Sequence, residues 1–186
     1  LPARADLAAA MDAVRARDWN RAAALVAADP APVRAVVEWH RLRAGTGTFA
    51  DYQAFLRDFA DWPGIPLLRR RGEQAIPSTA DNAALDAFFG PTLPQTATGV
   101  LRRATAAPEQ AGTLHAIRAW RDMQLDAETE SVLLARFGQA LAEHHVARMD
   151  NLLWNGWRDA AARQRPRVPQ DWRLLHDARV ALQTDQ

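Results

Sequence analysis

The sequence predicts an all-α fold, a right-handed superhelix or solenoid of antiparallel helical hairpins, on three observations. Ala is abundant, while Val and Ile are too sparse for several strands. Apolar residues recur at helical spacing in segment after segment. Proline and glycine interrupt these segments after short runs, and short turns between helices stack them as antiparallel neighbours. About ten to twelve helices of roughly 9–16 residues fit this punctuation. Nothing marks an internal linker, so one helical domain over residues 1–186 is expected; "RQRPRVPQDW" (163–172) is the best candidate boundary, and a helix follows it at once.

Taken in order, "DWNRAAALVAADPAP" (18–32) reads as a helix ended by Pro30 and Pro32. "RAGTGTF" (43–49) has two glycines but no Gly-Lys-Ser/Thr ending and no preceding strand, so it predicts a turn between helices and not a phosphate loop. "DYQAFLRDFADWPGIP" (51–66) carries Tyr52, Phe55, Leu56 and Phe59 on one helical face, with Pro63, Gly64 and Pro66 as the stop. In "LLRRRGE" (67–73), Arg69, Arg70 and Arg71 spread around a helix as a solvated face. "IPSTADNAALDAFFGPTLP" (76–94) offers Ser78 or Thr79 as N-cap and closes at Gly90-Pro91.

"APEQAGTLHAIRAWRDM" (107–123) starts at Pro108, a good first-turn residue, and runs through Leu114, Ile117, Arg118 and Met123. "ETESVLLARF" (128–137) places Asp126, Glu128 and Glu130 in the first turns of a helix, where acids complement the dipole, with Val132, Leu133 and Leu134 as the buried side. "AEHHVARMDNLLW" (142–154) looks most like chemistry. On a helical wheel, Leu141, Ala142, His145, Val146, Met149, Leu152 and Leu153 form one arc, with His145 inside it. His144 falls on the other side with Arg148, Asn151 and Asn155. The two histidines point about 100° apart, and the His-Glu-x-x-His spacing of zinc enzymes is absent. A buried, hydrogen-bonded structural His145 is therefore expected, and no metal, cofactor or catalytic residue is assigned.

Composition narrows the function classes. Hydrophobic residues are 48% and charged residues 24%, ordinary for a folded domain. Net charge is +1, all 23 basic residues are Arg, and acids are interspersed among them, which argues against a nucleic-acid face. No apolar run approaches a membrane span. The absence of cysteine removes thiol catalysis, disulfides and thiolate zinc sites, and suits an oxidising compartment. The opening Leu-Pro-Ala has neither the basic nor the apolar region of a secretory leader, and a trimmed chain is expected. Asp-Trp recurs at 18–19, 61–62 and 171–172, too unevenly for a 34-residue tetratricopeptide period. A degenerate α-solenoid is the better expectation, with a globular bundle as its rival. The seven Trp are expected mostly in cores, with carbohydrate platforms as the alternative.

The order of several phrases carries a resemblance. "FADYQAFLRDFADWPGIPLLRRRGEQAI" (49–76) precedes "FFGPTLPQTATGVLRRATA" (88–106), then "AIRAWRDMQLDAETESVLLARFGQALAEHHVARMDNLLW" (116–154) and "DARVAL" (177–182). Trp-Pro-Gly before the Arg-rich helix ending in Glu73, the Phe-Gly-x-x-x-Pro turn, and His145-x-x-Arg148-x-Asp150-x-Leu152-Leu153-Trp154 are its pieces. Over about residues 15–182 the chain resembles the amino-terminal superhelical region, the U-domain, of soluble lytic murein transglycosylases. The resemblance implies a periplasmic protein that orients peptidoglycan glycan strands and its own carboxy-terminal lysozyme-like domain, which cleaves between N-acetylmuramic acid and N-acetylglucosamine with one Glu. That catalytic Glu stands in a Glu-Ser motif followed by a Gly-Leu-Met-Gln-like phrase. Glu130-Ser131 has no such phrase after it, so the role is not carried over to Glu130. The expectation is a non-catalytic piece that stops before the catalytic domain. The alternatives are a scaffold for other cell-wall proteins and a self-contained glycosidase using Glu128 or Glu130.

Overall fold

The computed structural model describes residues 3–184, and these hold helices and turns with no strand. Packing divides the chain into two compact units, Leu1–Pro77 and Ser78–Gln186.

The first unit contains α1 (Ala3–Arg15), α2 (Trp19–Leu25), α3 (Ala31–Arg43), α4 (Phe49–Asp58) and α5 (Ile65–Gln74). Ala10, Ala13 and Val14 of α1 bury against Ala22, Val26 and Val37, a core of small side chains that lets these helices approach closely. Asp18 starts α2 by accepting from the Arg21 amide at 3.1 Å. The proline expectations here are corrected. Helix α2 ends at Leu25, before Pro30 is reached; Pro30 caps the start of α3 and Pro32 lies in its first turn. Pro66 likewise lies in the first turn of α5, after Gly64 at φ 77°. The first-turn amides have no helical partner, so a proline there loses nothing and opens a helix instead of closing one.

The Gly-Thr-Gly-Thr segment is the turn the sequence predicts, and it is tightly built. Thr48 Oγ1 accepts from the Asp51 amide at 3.3 Å while Asp51 Oδ2 accepts from the Thr48 amide at 2.8 Å, a reciprocal cap that starts α4. Tyr52 donates its hydroxyl proton to the Leu42 carbonyl at 2.9 Å. A Cβ at Gly47 would stand 2.3 Å from Leu42 Cδ2 and 3.1 Å from Tyr52 Cε2, so a larger residue there would have to push the buried Leu42 side chain aside. Tyr52 and Phe55 are buried as their spacing predicts, while Phe59 follows the helix and meets Trp62 edge-on. Arg70 and Arg71 are exposed, whereas the neighbouring Leu68 and Glu73 are buried.

The second unit contains α6 (Asn82–Phe89), α7 (Ala97–Ala106), α8 (Glu109–Asp122), α9 (Ala127–Leu141), α10 (His145–Trp154), α11 (Arg158–Gln164) and α12 (Gln170–Thr184). Short 3-10 turns occupy Ala142–His144 and Arg165–Arg167. Asp81, not Ser78 or Thr79, caps α6, accepting from the Ala84 amide at 2.8 Å; it is the residue that directly precedes the helix. Gly90 ends α6 at φ 52°, as expected. The following Pro-Thr-Leu turn is held by buried Arg103, whose guanidinium donates to the carbonyls of Gly90 and Thr92. Pro108 precedes α8 as its N-cap.

Two apolar residues lie outside the core, and for Val132 this corrects the expected buried side of α9. Leu114 is 61% exposed, because α8 buries its small-residue face (Gly112, Ala116, Ala119) with Trp120. Val132 is exposed too: α9 buries Thr129, Glu130, Leu133, Phe137 and Leu141, a face on which Val132 does not lie. Helices α7, α8 and α9 share one core around Trp120, Leu133 and Leu141. A second core joins Met149, Leu152 and Leu153 of α10 to Ala160, Ala161 and Val168.

Candidate functional site

The polar centre of the second unit forms around Glu130. Asp126 caps α9 by accepting from the Thr129 amide at 2.7 Å, and that backbone bond is the main cause holding the Asp126 carboxyl below its ordinary range. This start places Glu130 on the same face as Leu133, Phe137 and Leu141, so its carboxylate enters the core and is 5% exposed. Two guanidinium groups meet it there. Arg148 Nη2 donates to Oε1 at 2.5 Å, and Arg163 donates through Nε to Oε2 at 2.8 Å and through Nη2 to Oε1 at 3.2 Å. Each arginine also ties down backbone: Arg148 donates to the carbonyls of Trp120 and Met123, and Arg163 to the Leu125 carbonyl at 2.8 Å. The Arg148 guanidinium lies over the Trp120 ring, 4.3 Å from its centroid. Burial pulls the Arg148 pKa down and the Glu130 carboxylate pushes against that fall, while contact with Glu130 raises Arg163.

Arg148 is thus the main correction to the wheel. Placed with His144, Asn151 and Asn155 on the outer side, it is instead fully buried. It stands four residues before Leu152 and so shares its helix face; a charge there turns inward when a counter-charge waits in the core. Arg163 and Trp120 also belong to this site, and sequence reasoning did not single them out.

His145 agrees in part with its expectation. It is half-buried, with its ring centroid 5.7 Å from that of Trp120, and its backbone carbonyl accepts from Gln164 Nε2 at 3.0 Å. The side-chain hydrogen bond is not there: Nδ1 is buried with no partner among the described residues. Burial, reinforced by the charges of Arg167, Arg148 and His144, holds the imidazole below its ordinary value of 6.5. The unfolded chain then binds a proton more readily than the folded one, so stability should fall as pH drops below about 6.5. His40 and His115 are lowered as well and act in the same direction. His145→Gln should flatten this slope, read as the urea midpoint between about pH 7.5 and about pH 5.5; an unchanged slope would remove His145 from the account.

Chemically, the cluster is closed. Both carboxylate oxygens of Glu130 accept from guanidinium groups, and its small exposure leaves little room for a substrate oxygen, so it is not placed as a general acid or base. Glu128 is exposed on the same helix end. No group of three or more metal-ligating side chains gathers among the described residues. A groove of about 680 Å³ opens beside Glu109, Thr113, Arg136 and Gln139. Two of its polar groups are turned to backbone: the Thr113 hydroxyl bonds the Glu109 carbonyl and Arg136 reaches the Thr105 carbonyl. No described helix is long and apolar enough to cross a membrane. No protein-family model, no curated protein and no solved structure matches the chain.

Proposed function

We propose that the chain is a non-catalytic helical scaffold of a periplasmic peptidoglycan lytic transglycosylase. In this reading its hairpins wind into a right-handed superhelix that holds murein strands and orients a lysozyme-like catalytic domain of the same protein. The observation that carries the non-catalytic part is the confinement of Glu130. The acid of the chain's Glu-Ser dipeptide spends both oxygens on Arg148 and Arg163, and so ties α9 to α10 and α11 through side chains. The order of the sequence phrases over residues 15–182, together with the all-helical fold, supports the rest of the reading.

The purified chain should sediment with isolated sacculi and release no muropeptide from them. Release that is lost on Glu130→Gln would replace this reading with that of a self-contained glycosidase. Failure to sediment, alongside capture of a cell-wall protein, would favour a protein–protein scaffold. The encoding gene should also continue into a Glu-Ser…Gly-Leu-Met-Gln segment; a gene without one would sink the assignment to this enzyme class.

A further inference from the structure

Six of the seven tryptophans are buried or half-buried, and Trp154 breaks that pattern at 81% exposure. An indole left in water gives up a large burial gain, so its setting bears on what it is for. It does not sit on a loose segment. Trp154 is the last residue of α10, and the helix end is locked by paired bonds: the Gly156 amide donates to the Leu153 carbonyl at 3.3 Å and the Trp157 amide to the Leu152 carbonyl at 3.0 Å. Gly156 at φ 70° and the packing of Trp157 beside Leu152 complete this C-terminal motif. The backbone under the indole is therefore fixed.

Its neighbours are polar. Asp150 and Asn151, four and three residues earlier, share its helix face, and Asn155 follows it. The amides are held in a ladder: Asn155 Nδ2 donates to Asn151 Oδ1 and to the Asn151 carbonyl, each at 2.9 Å, and Asn151 Nδ2 donates to the Arg121 carbonyl on α8 at 2.9 Å. A tryptophan that anchors a protein interface is normally ringed by further apolar side chains that exclude water. Here a flat apolar face rises from amides and a carboxylate. That is the complement of a pyranose, which offers one face of C–H groups and a rim of hydroxyl and acetamido groups.

We infer that Trp154 is a stacking platform for one sugar ring of a β-linked N-acetylhexosamine strand, with Asn155 and Asp150 at the ring's polar edge. This rests on the glycan-holding reading above and names the place on the chain where the strand is held. The test is sedimentation with purified sacculi at raised salt, which suppresses charge-driven adsorption, for the wild-type chain, Trp154→Ala and Trp154→Phe. Trp154→Ala should bind about tenfold more weakly, the size of one aromatic stacking contact, with Trp154→Phe in between and thermal melting unchanged in both. A soluble chitooligosaccharide should shift the indole N–H resonance that disappears in Trp154→Ala. Wild-type and Trp154→Ala chains that sediment equally would overturn the platform and leave the scaffold reading standing. A wild-type chain that does not sediment would overturn both. Self-association that depends on Trp154, seen by sedimentation velocity, would give the surface to a second copy and overturn the sugar assignment.

Discussion

Glu130→Ala should lower the stability of the second unit by about 3–5 kcal/mol, the range seen when one partner of a buried ion pair is removed. The reason lies in what is left behind. Arg148 is 0% exposed and cannot reach water without moving α10, and its remaining partners are the carbonyls of Trp120 and Met123. A guanidinium stranded there keeps the full cost of leaving water and loses its counter-charge. Arg163 suffers less because it is partly exposed and still reaches the Leu125 carbonyl. Glu130→Gln should cost less than Glu130→Ala, because an amide oxygen still accepts from one guanidinium. The combination Glu130→Ala with Arg148→Met should recover part of the loss, since it removes the stranded charge and fills its space with an apolar chain. Urea denaturation followed by far-ultraviolet circular dichroism measures all three. A double variant no better than Glu130→Ala would show that the arginine matters through its carbonyl contacts alone.

Gly112→Ala is the second large effect, and it acts through shape. A Cβ at this position would fall 2.4 Å from the carbonyl oxygen of Ala104, and that atom is backbone, with no rotamer to turn aside. Helices α7 and α8 meet at this point over small side chains, so the added methyl separates them and loosens the core they share with α9. The expected cost is about 1–3 kcal/mol, in spite of alanine's better helix propensity. Leu114→Ala, two residues along on the exposed side, is the matched control and should stay within about 0.5 kcal/mol of wild type. If Gly112→Ala melts with the wild type, the contact between α7 and α8 is softer than its geometry says.

Much of the fold can be read in the sequence. Helices follow from the spacing of Tyr52 and Phe55, and Gly90 ends α6 where a positive φ is wanted. The prolines mislead because the same residue suits the first turn of a helix and the gap before it. Pro32 and Pro66 differ from stops only in which neighbour's amides they spare. Val132 misleads because it lies off the α9 face that carries Leu133, Phe137 and Leu141, while α8 buries a small-residue face and leaves Leu114 outside.

The candidate site was legible in one respect that the helical wheel obscures. Glu130 and Arg148 each stand at helical spacing from buried leucines, so each is a charge on an apolar face. Opposite charges so placed satisfy each other when their helices meet. What no local pattern supplies is Arg163. It is 33 residues from its partner along the chain, and only tertiary folding shows which of many arginines completes the pair. The exposed Trp154 escaped for a similar reason: its apolar neighbours Leu152 and Leu153 are real, but they point to the other side of the helix.

The 3-10 turn at Ala142–His144 joins α9 to α10 without a loop, and the chain bends back there: Glu130 and Arg148, 18 residues apart, could not meet along one straight helix. A 3-10 residue advances about 120° where an α-helical one advances about 100°. Ala142 and Glu143 are exposed, so their side chains can change freely. Their number cannot: one residue more or fewer swings Arg148 about a quarter-turn or more away from the acid it neutralises. This short stretch is therefore permissive to point changes and intolerant of insertions or deletions, a constraint on chain length with no constraint on chemistry.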